Sequence, residues 1–382
     1  MDQPAALADT AFPKLVIQAN ASLNIVGSSG LLDMYFENDG FLDDEEKQII
    51  IDRLDTENTF QYDDRIGPIL LAGKIESIPF SLSYEQNRSY AVGFNNPQSI
   101  ELLLRGNAGF AGQTVSDELS YHRLRTDRLS LGTAFRLGKA SIGLRGHYFM
   151  GSKMVAVDRF AYQFFTAEDG SLLNVSADYG VYDAIEDGSG LGLDIGLSMP
   201  LGDKITLQAT VADLGFMQWE ANEQINAEQF EFIGLDLNDI VDGGLIDFQL
   251  EDTLRRSLFP DTIQTTFNHS LPTRLQVGLG YAPQPGTLWM LQVSYVLSNF
   301  APGGGSPSAS LAYQRQWKRL SLGGQAFVGG IEGWGLGAIA AVHLHGKKGF
   351  TFDLVGELRN GMGLLTSSNG GLRGNAGLSI GF

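Results

Sequence analysis

The sequence predicts an all-β chain closed into one antiparallel transmembrane β-barrel of about 14 strands (a range of 12 to 16), carrying short helical inserts. Three observations lead there. Segments of about ten residues alternate apolar and polar side chains between turn residues. No run approaches the roughly 18 to 20 apolar residues that a spanning helix needs. The final segment, Gly374 to Phe382, is an amphipathic strand that ends on an aromatic residue.

Composition agrees. Of 382 residues 48 are glycine and only 18% are charged. The mean hydropathy of −0.03 is too low for a helical membrane protein. A barrel averages to that value because its lipid and lumen faces cancel. Cysteine is absent, which removes disulfides, thiolate chemistry and a lipidated cysteine anchor. The opening Met1-Asp2-Gln3-Pro4 has neither a basic region nor an apolar core, so the numbered chain is expected to be a mature form without its export signal.

The alternation is clearest in Leu191-Gly192-Leu193-Asp194-Ile195-Gly196-Leu197-Ser198-Met199. A turn at Pro200 to Asp203 leads into Ile205 to Val211. Leu129 to Leu137 and Ile142 to Phe149 form a similar pair around Gly138-Lys139. There Ile142, Leu144 and Tyr148 oppose Arg145 and His147. The same period recurs over 275–281, 291–297, 311–317, 320–328, 336–344 and 350–358. Tyr148, Phe149, Trp219, Tyr281, Trp289, Tyr295, Trp317 and Trp334 fall near strand ends, where interfacial girdles sit. In the last strand Ala376, Leu378, Ile380 and Phe382 share a face. An open edge there would invite aggregation, so it is expected to close against the first strand. Phe382 is the expected signal to the barrel-insertion machinery.

The net charge of −18 is concentrated. Residues 33–64 hold 12 acidic and 2 basic residues, and 220–261 hold 11 and 2, so the rest of the chain is near neutral. Nucleic acid is excluded as a partner because no basic surface faces phosphates. With those stretches set aside, 308 residues remain, enough for about 14 strands at roughly 22 residues per strand and connection.

One domain thus spans 1–382, with an acidic helical insert at 31–66, a plug or cap, and an acidic insert or long loop at 220–262. Within the first, Asp43 to Leu54 reads as a helix with Asp43 as N-cap and Glu46 at the capping-box position. Residues 246–259 offer a second helix, and 301–307 an exposed turn. Glu37 to Glu46 partly matches a calcium loop, but Tyr35 stands at its first ligand position, so a solvated acidic loop is preferred and no metal site is assigned.

No phosphate-binding loop, nucleophile elbow or catalytic set is read from the sequence, and no cofactor is expected. His343 and His345 share one strand face; a lumen or interfacial role is preferred over metal ligation or half of an acid–base pair. If the apolar residues face lipid, Arg105, Arg136, Arg145, His147, Asp194, Gln208, Gln276, Gln292 and Gln314 line the lumen, bracing it or bordering a permeation path.

Several segments resemble an uncharacterised family of Bacteroidetes-type outer-membrane barrels, similar in architecture to fatty-acid-transporter-like barrels. They are Gln3 to Asp9, Ser176 to Gly180, Gly190 to Gly196, Val211 to Trp219, Leu271 to Leu275 and the terminal glycine-rich strand. The resemblance implies about 14 strands and an outer-membrane location, and carries no catalytic residues across. The expected function is a channel or transporter, with passive uptake of hydrophobic small molecules as its specific form. The alternatives are a non-transporting assembly or secretion partner that docks an envelope protein through the acidic inserts, and a soluble secreted β-rich protein.

Overall fold

A computed structural model describes residues 4–8, 15–28, 42–169, 173–226, 262–297, 305, 307–331, 333–346, 350–359 and 371–382. The strands are β1 (Leu15–Gly27), β2 (Asn58–Ile75), β3 (Ile78–Phe94), β4 (Thr114–Glu118), β5 (Ser120–Leu137) and β6 (Ala140–Thr166). They continue as β7 (Leu173–Pro200), β8 (Ile205–Asn226), β9 (Ile263–Ser270), β10 (Thr273–Tyr281) and β11 (Thr287–Leu297). The last are β12 (Ser308–Gln316), β13 (Leu320–Gly329), β14 (Trp334–His345), β15 (Thr351–Arg359) and β16 (Leu372–Gly381). Two helices, α1 (Asp44–Asp52) and α2 (Pro97–Arg105), lie in connections. No helix among the described residues is long and apolar enough to cross a membrane.

All neighbouring pairs are antiparallel and the sheet closes on itself. β1 pairs with β16 from Val16↔Gly381 to Ile25↔Leu372, and the Phe382 amide donates to the Leu15 carbonyl at 2.9 Å. Two staves of the ring are interrupted. β4 prolongs β5 along β6, while β9 and β10 pair with the upper and lower parts of β8 on either side of Leu271–Pro272. Proline cannot donate to a ladder, which accounts for that break. Counted as staves, the sixteen strands make a ring of fourteen.

The outer face is apolar. Leu131 is 66% exposed, and Leu129, Phe135, Leu191, Val277, Leu291 and Leu336 are also exposed. On β6 the parity is as the sequence predicts: Arg145 and His147 are buried inward, whereas Leu144 and Tyr148 face out. Phe135, Tyr281, Trp289, Trp317 and Phe382 are exposed around the end where the turns are short. Trp219 and Phe149, expected in such a girdle, are instead buried inside. Their parity along β8 and β6 turns them inward, which nearness to a strand end does not reveal.

Strand length departs from the expected ten residues on one side. β6, β7 and β8 have 27, 28 and 22 residues, against 8 to 12 for β9 to β16. About 9 to 11 tilted residues cross the hydrocarbon, so the long strands rise well beyond it as a raised wall. For the same reason parts of the two acidic stretches are strand: β2 starts at Asn58 and β8 runs to Asn226. The 246–259 helix lies outside the described residues, as does most of 301–307.

Helix α1 forms for the expected local reason. Asp43 Oδ1 accepts from the amides of Glu45 and Glu46 at 2.9 Å, and Glu46 Oε2 takes the Asp43 amide at 2.8 Å. These two acids of the calcium-like stretch therefore cap a helix. Ile50 is buried, and Gln48 meets Arg105 of α2. Ile100 of α2 packs with Ile25 and Phe60. Both helices thus belong to the rim at the end with the long connections.

Candidate functional site

The lumen is not uniform. On the β2–β8 side it is filled in layers; on the β11–β15 side it holds a cavity.

The lowest layer, at the short-turn end, is a 3-10 turn at Pro4–Ala8 that sits against β5, β6 and β7. Leu7 packs with Leu70, Ala72 and Ala134. The turn fits because Gly143 has no side chain: a Cβ there would lie 2.1 Å from the Pro4 carbonyl carbon. Sequence reasoning placed a plug or cap in the acidic insert; among the described residues α1 of that insert lies at the rim, and the segment seated in the lumen is Pro4–Ala8. Its signal, a short apolar run, was too brief to distinguish from a strand lead-in.

Next comes a charged layer. Arg145 Nε and Nη2 donate to Asp194 Oδ2 at 2.8 and 2.6 Å. His147 Nε2 lies 3.0 Å from the same oxygen, and its Nδ1 bonds Ser130 at 2.8 Å. Arg128 bridges two acids, donating to Asp213 Oδ1 at 2.9 Å and to Glu85. Asp213 is at a bulge of β8 with φ +57, and its amide donates to Asp194 Oδ1 at 2.7 Å. That bond holds a left-handed conformation that an L residue rarely adopts. His147, Asp194 and Asp213 offer ligand atoms within 4.8 Å of one another. Two arginines already sit on those carboxylates, so the protein itself supplies the cations a metal would provide.

Above it lies an apolar layer of Phe149, Met154, Met217, Trp219 and Leu271. Trp219 covers Gly151 and Gly188, where an added Cβ would come within 2.1 and 2.6 Å of the indole.

The other side is open. A cavity of about 190 Å³ is bounded by Leu288, Met290, Ala312 and Ile339 and by Gln292, Ser310, Gln314, Gln325, Glu357 and Arg359. Its polar wall is braced: Gln325 and Arg359 both donate to Glu357 Oε1, at 2.7 and 2.6 Å, and Asn375 to Oε2 at 3.1 Å. The wall is thus a fixed pattern of amides and one ion pair beside an aliphatic strip.

The residues read from the sequence separate accordingly. Arg145, His147 and Asp194 lie together in the charged layer, and Gln292 and Gln314 border the cavity. Gln208 and Gln276 are half-buried and pair with Gly278 and Thr210 across the β8–β10 ladder. Arg136 is exposed near the end of β5. Arg105 is misassigned: it ends α2 at the rim, bonded to Gln48 at 2.6 Å and beside Glu101 at 3.6 Å. Asn96 caps the Gln98 amide and Pro97 presets the first turn, so the leucine-rich segment Ile100–Leu104 coils rather than extends. Glu85, Arg128, Asp213, Glu357 and Arg359 were missed. Glu85 and Arg359 lie in strands over 58–94 and beyond 358 that were not assigned, Arg128 and Asp213 just outside the assigned 129–137 and 205–211, and Glu357 inside 350–358, where parity alone could have found it.

Comparison with known proteins agrees on the fold. A Pseudomonas aeruginosa FadL homologue superposes with a TM-score of 0.50 and 11% identity, over 99% of this chain and 91% of that one. The Pseudomonas putida toluene transporter TodX matches at 0.49 and 9%, over 99% and 91%. The Ralstonia pickettii toluene transporter TbuX matches at 0.47 and 9%, over 100% and 92%. No curated protein matches the sequence. At such identities the first likeness is one of architecture, a closed barrel of fourteen staves. The family profile described as "Family of unknown function (DUF5723)" matches residues 4–350, and the chain belongs to that family.

Proposed function

We propose that this protein is an outer-membrane channel or transporter that passes small, largely hydrophobic molecules along the β11–β15 side of its lumen. The observation that carries the proposal is the division of the lumen among the described residues: the β2–β8 side carries stacked apolar and charged layers, and the β11–β15 side keeps a cavity with a fixed lining. The aliphatic strip of Leu288, Met290 and Ile339 suits an apolar body, and the facing amides suit one polar group. Short turns mark the periplasmic end and long connections the outside, by the general rule for such barrels. The Pro4–Ala8 turn then lies at the periplasmic exit. We take the exposed Phe382, edge-on to Phe350 at 5.8 Å, as the contact for the insertion machinery.

The test is uptake into liposomes carrying the purified protein. Solute entry should exceed that of empty vesicles and increase when residues 1–14 are removed. Impermeability of both forms to every solute tried refutes a channel. If the acidic connections instead dock an envelope protein, purification from native membranes yields a stoichiometric partner that is lost on deleting 33–57 or 227–261.

A further inference from the structure

Three adjacent strands place a serine, a histidine and an aspartate in sequence on the open side of the lumen. Ser321 Oγ is 2.8 Å from His343 Nε2, and His343 Nδ1 is 2.7 Å from Asp353 Oδ1. Each nitrogen has the partner that acyl transfer requires. The carboxylate holds the proton on Nδ1, leaving Nε2 free to accept the serine proton. The strand register produces this arrangement. Asp353 is directly opposite His343, and Ser321 is opposite Ala341, two residues before the histidine. Diagonal neighbours of that kind remain within reach of long side chains. His345 lies on the same face, opposite Thr351, without either partner among the described residues.

We propose that Ser321, His343 and Asp353 form a hydrolytic site for small carboxylic esters, an activity beyond transport. In it, Ser321 Oγ bonds to the ester carbonyl carbon as its proton passes to His343 Nε2. The bond to the alcohol oxygen breaks, and that oxygen takes the proton and departs as the alcohol. A water, deprotonated by Nε2, then attacks the acyl-serine to release the carboxylic acid and restore Ser321. Gln316, exposed and directly opposite Ser321 on β12, is placed to donate its amide to the developing oxyanion.

Two comparisons within the molecule favour chemistry here. The charged layer holds the same three residue types, Ser130, His147 and Asp194, but there the histidine and aspartate side chains are 0% and 1% exposed. Those of His343 and Asp353 are 18% and 31% exposed. The site also lies below the cavity. Gln325 is four residues along β13 from Ser321, roughly 13 Å at strand rise, with Gly323 and, opposite it, Ile339 of the cavity wall in the intervening layer. Ser321 itself is 1% exposed, so access limits the rate and acylation is expected to be slow.

The test is labelling of the folded, detergent-solubilised protein with a small fluorophosphonate, with the adduct located by peptide mass. Folding is checked independently by the shift of the unboiled band on a gel. Wild type should carry the adduct on Ser321, and Ser321→Ala none. His343→Gln should react at least 100-fold more slowly while keeping the band shift, and His345→Gln should match wild type. Hydrolysis of p-nitrophenyl butyrate should follow the same order. Folded wild type without an adduct on Ser321, or equal labelling of His343→Gln, overturns the proposal. Neither result bears on permeability, so the channel reading stands or falls separately.

Discussion

Replacing Asp194 by alanine should be among the most damaging single changes to the barrel. Asp194 is 0% exposed and Arg145 8%. The carboxylate accepts two bonds from Arg145 and one from the Asp213 amide, and neighbours His147. Removing one member of a buried ion pair costs about 3–5 kcal/mol, because the remaining charge keeps its desolvation penalty and loses its compensation. The lost amide bond also releases Asp213 from its left-handed conformation. At about 1.4 kcal/mol per decade this is a fall of roughly two to three and a half orders of magnitude in the folding constant. Asp194→Asn should cost less, since one oxygen still accepts. The double change Arg145→Met with Asp194→Leu should recover much of the loss by filling the same space without charge. A urea titration in phospholipid vesicles, followed by tryptophan emission, measures all three. A loss below about 1 kcal/mol for Asp194→Ala, or a double variant less stable than it, would show that the layer is hydrated and its pairing weak.

Other perturbations test other parts. Leu131→Arg puts a charge on the lipid face well along β5 and should cost about 2–4 kcal/mol, whereas Leu137→Arg beside the turn should cost about 0–1; equal values in vesicle unfolding would mean that the lipid-facing belt has been placed at the wrong height. Gly151→Val drives a side chain into Trp219 and should lower the urea midpoint by the equivalent of about 1–3 kcal/mol; an unchanged midpoint would show that the apolar layer yields. Gly143→Leu should displace the Pro4–Ala8 turn and increase solute entry into liposomes while the barrel remains folded; entry identical to wild type would mean that the turn does not obstruct the path. Asp43→Ala removes both accepted amide bonds at the start of α1 and should make that helix about 0.5–2 kcal/mol easier to open, seen as faster amide exchange over 44–52.

Much of the architecture was legible because a strand writes its two faces in alternate letters. Leu191 to Met199 and Ile142 to Phe149 gave inward and outward sides directly, and with them Arg145, His147 and Asp194. Asp43 and Glu46 announced α1 through a local hydrogen-bond pattern that needs no tertiary context. What stayed hidden depends on neighbours distant in the chain. Ser321, His343 and Asp353 come together only through register, and Arg128 meets Glu85 and Asp213 across 43 and 85 residues. Periodicity specifies a face, not a height. Trp219 was misplaced for a related reason: an aromatic near the end of a ten-residue strand sits at an interface, but the same residue midway up a 22-residue strand does not.

A ring with one crowded side and one sparse side is also unequal in its tolerance of change. Inward substitutions on β2 to β8 encounter matched charges and contacts near van der Waals distance, so most would be purged. Gln292, Ser310 and Gln314 on the opposite arc border a space, where volume can be added or removed at little cost to folding. Descendants of such a barrel could therefore alter what they admit through drift along a single arc, while the other arc keeps the shape constant.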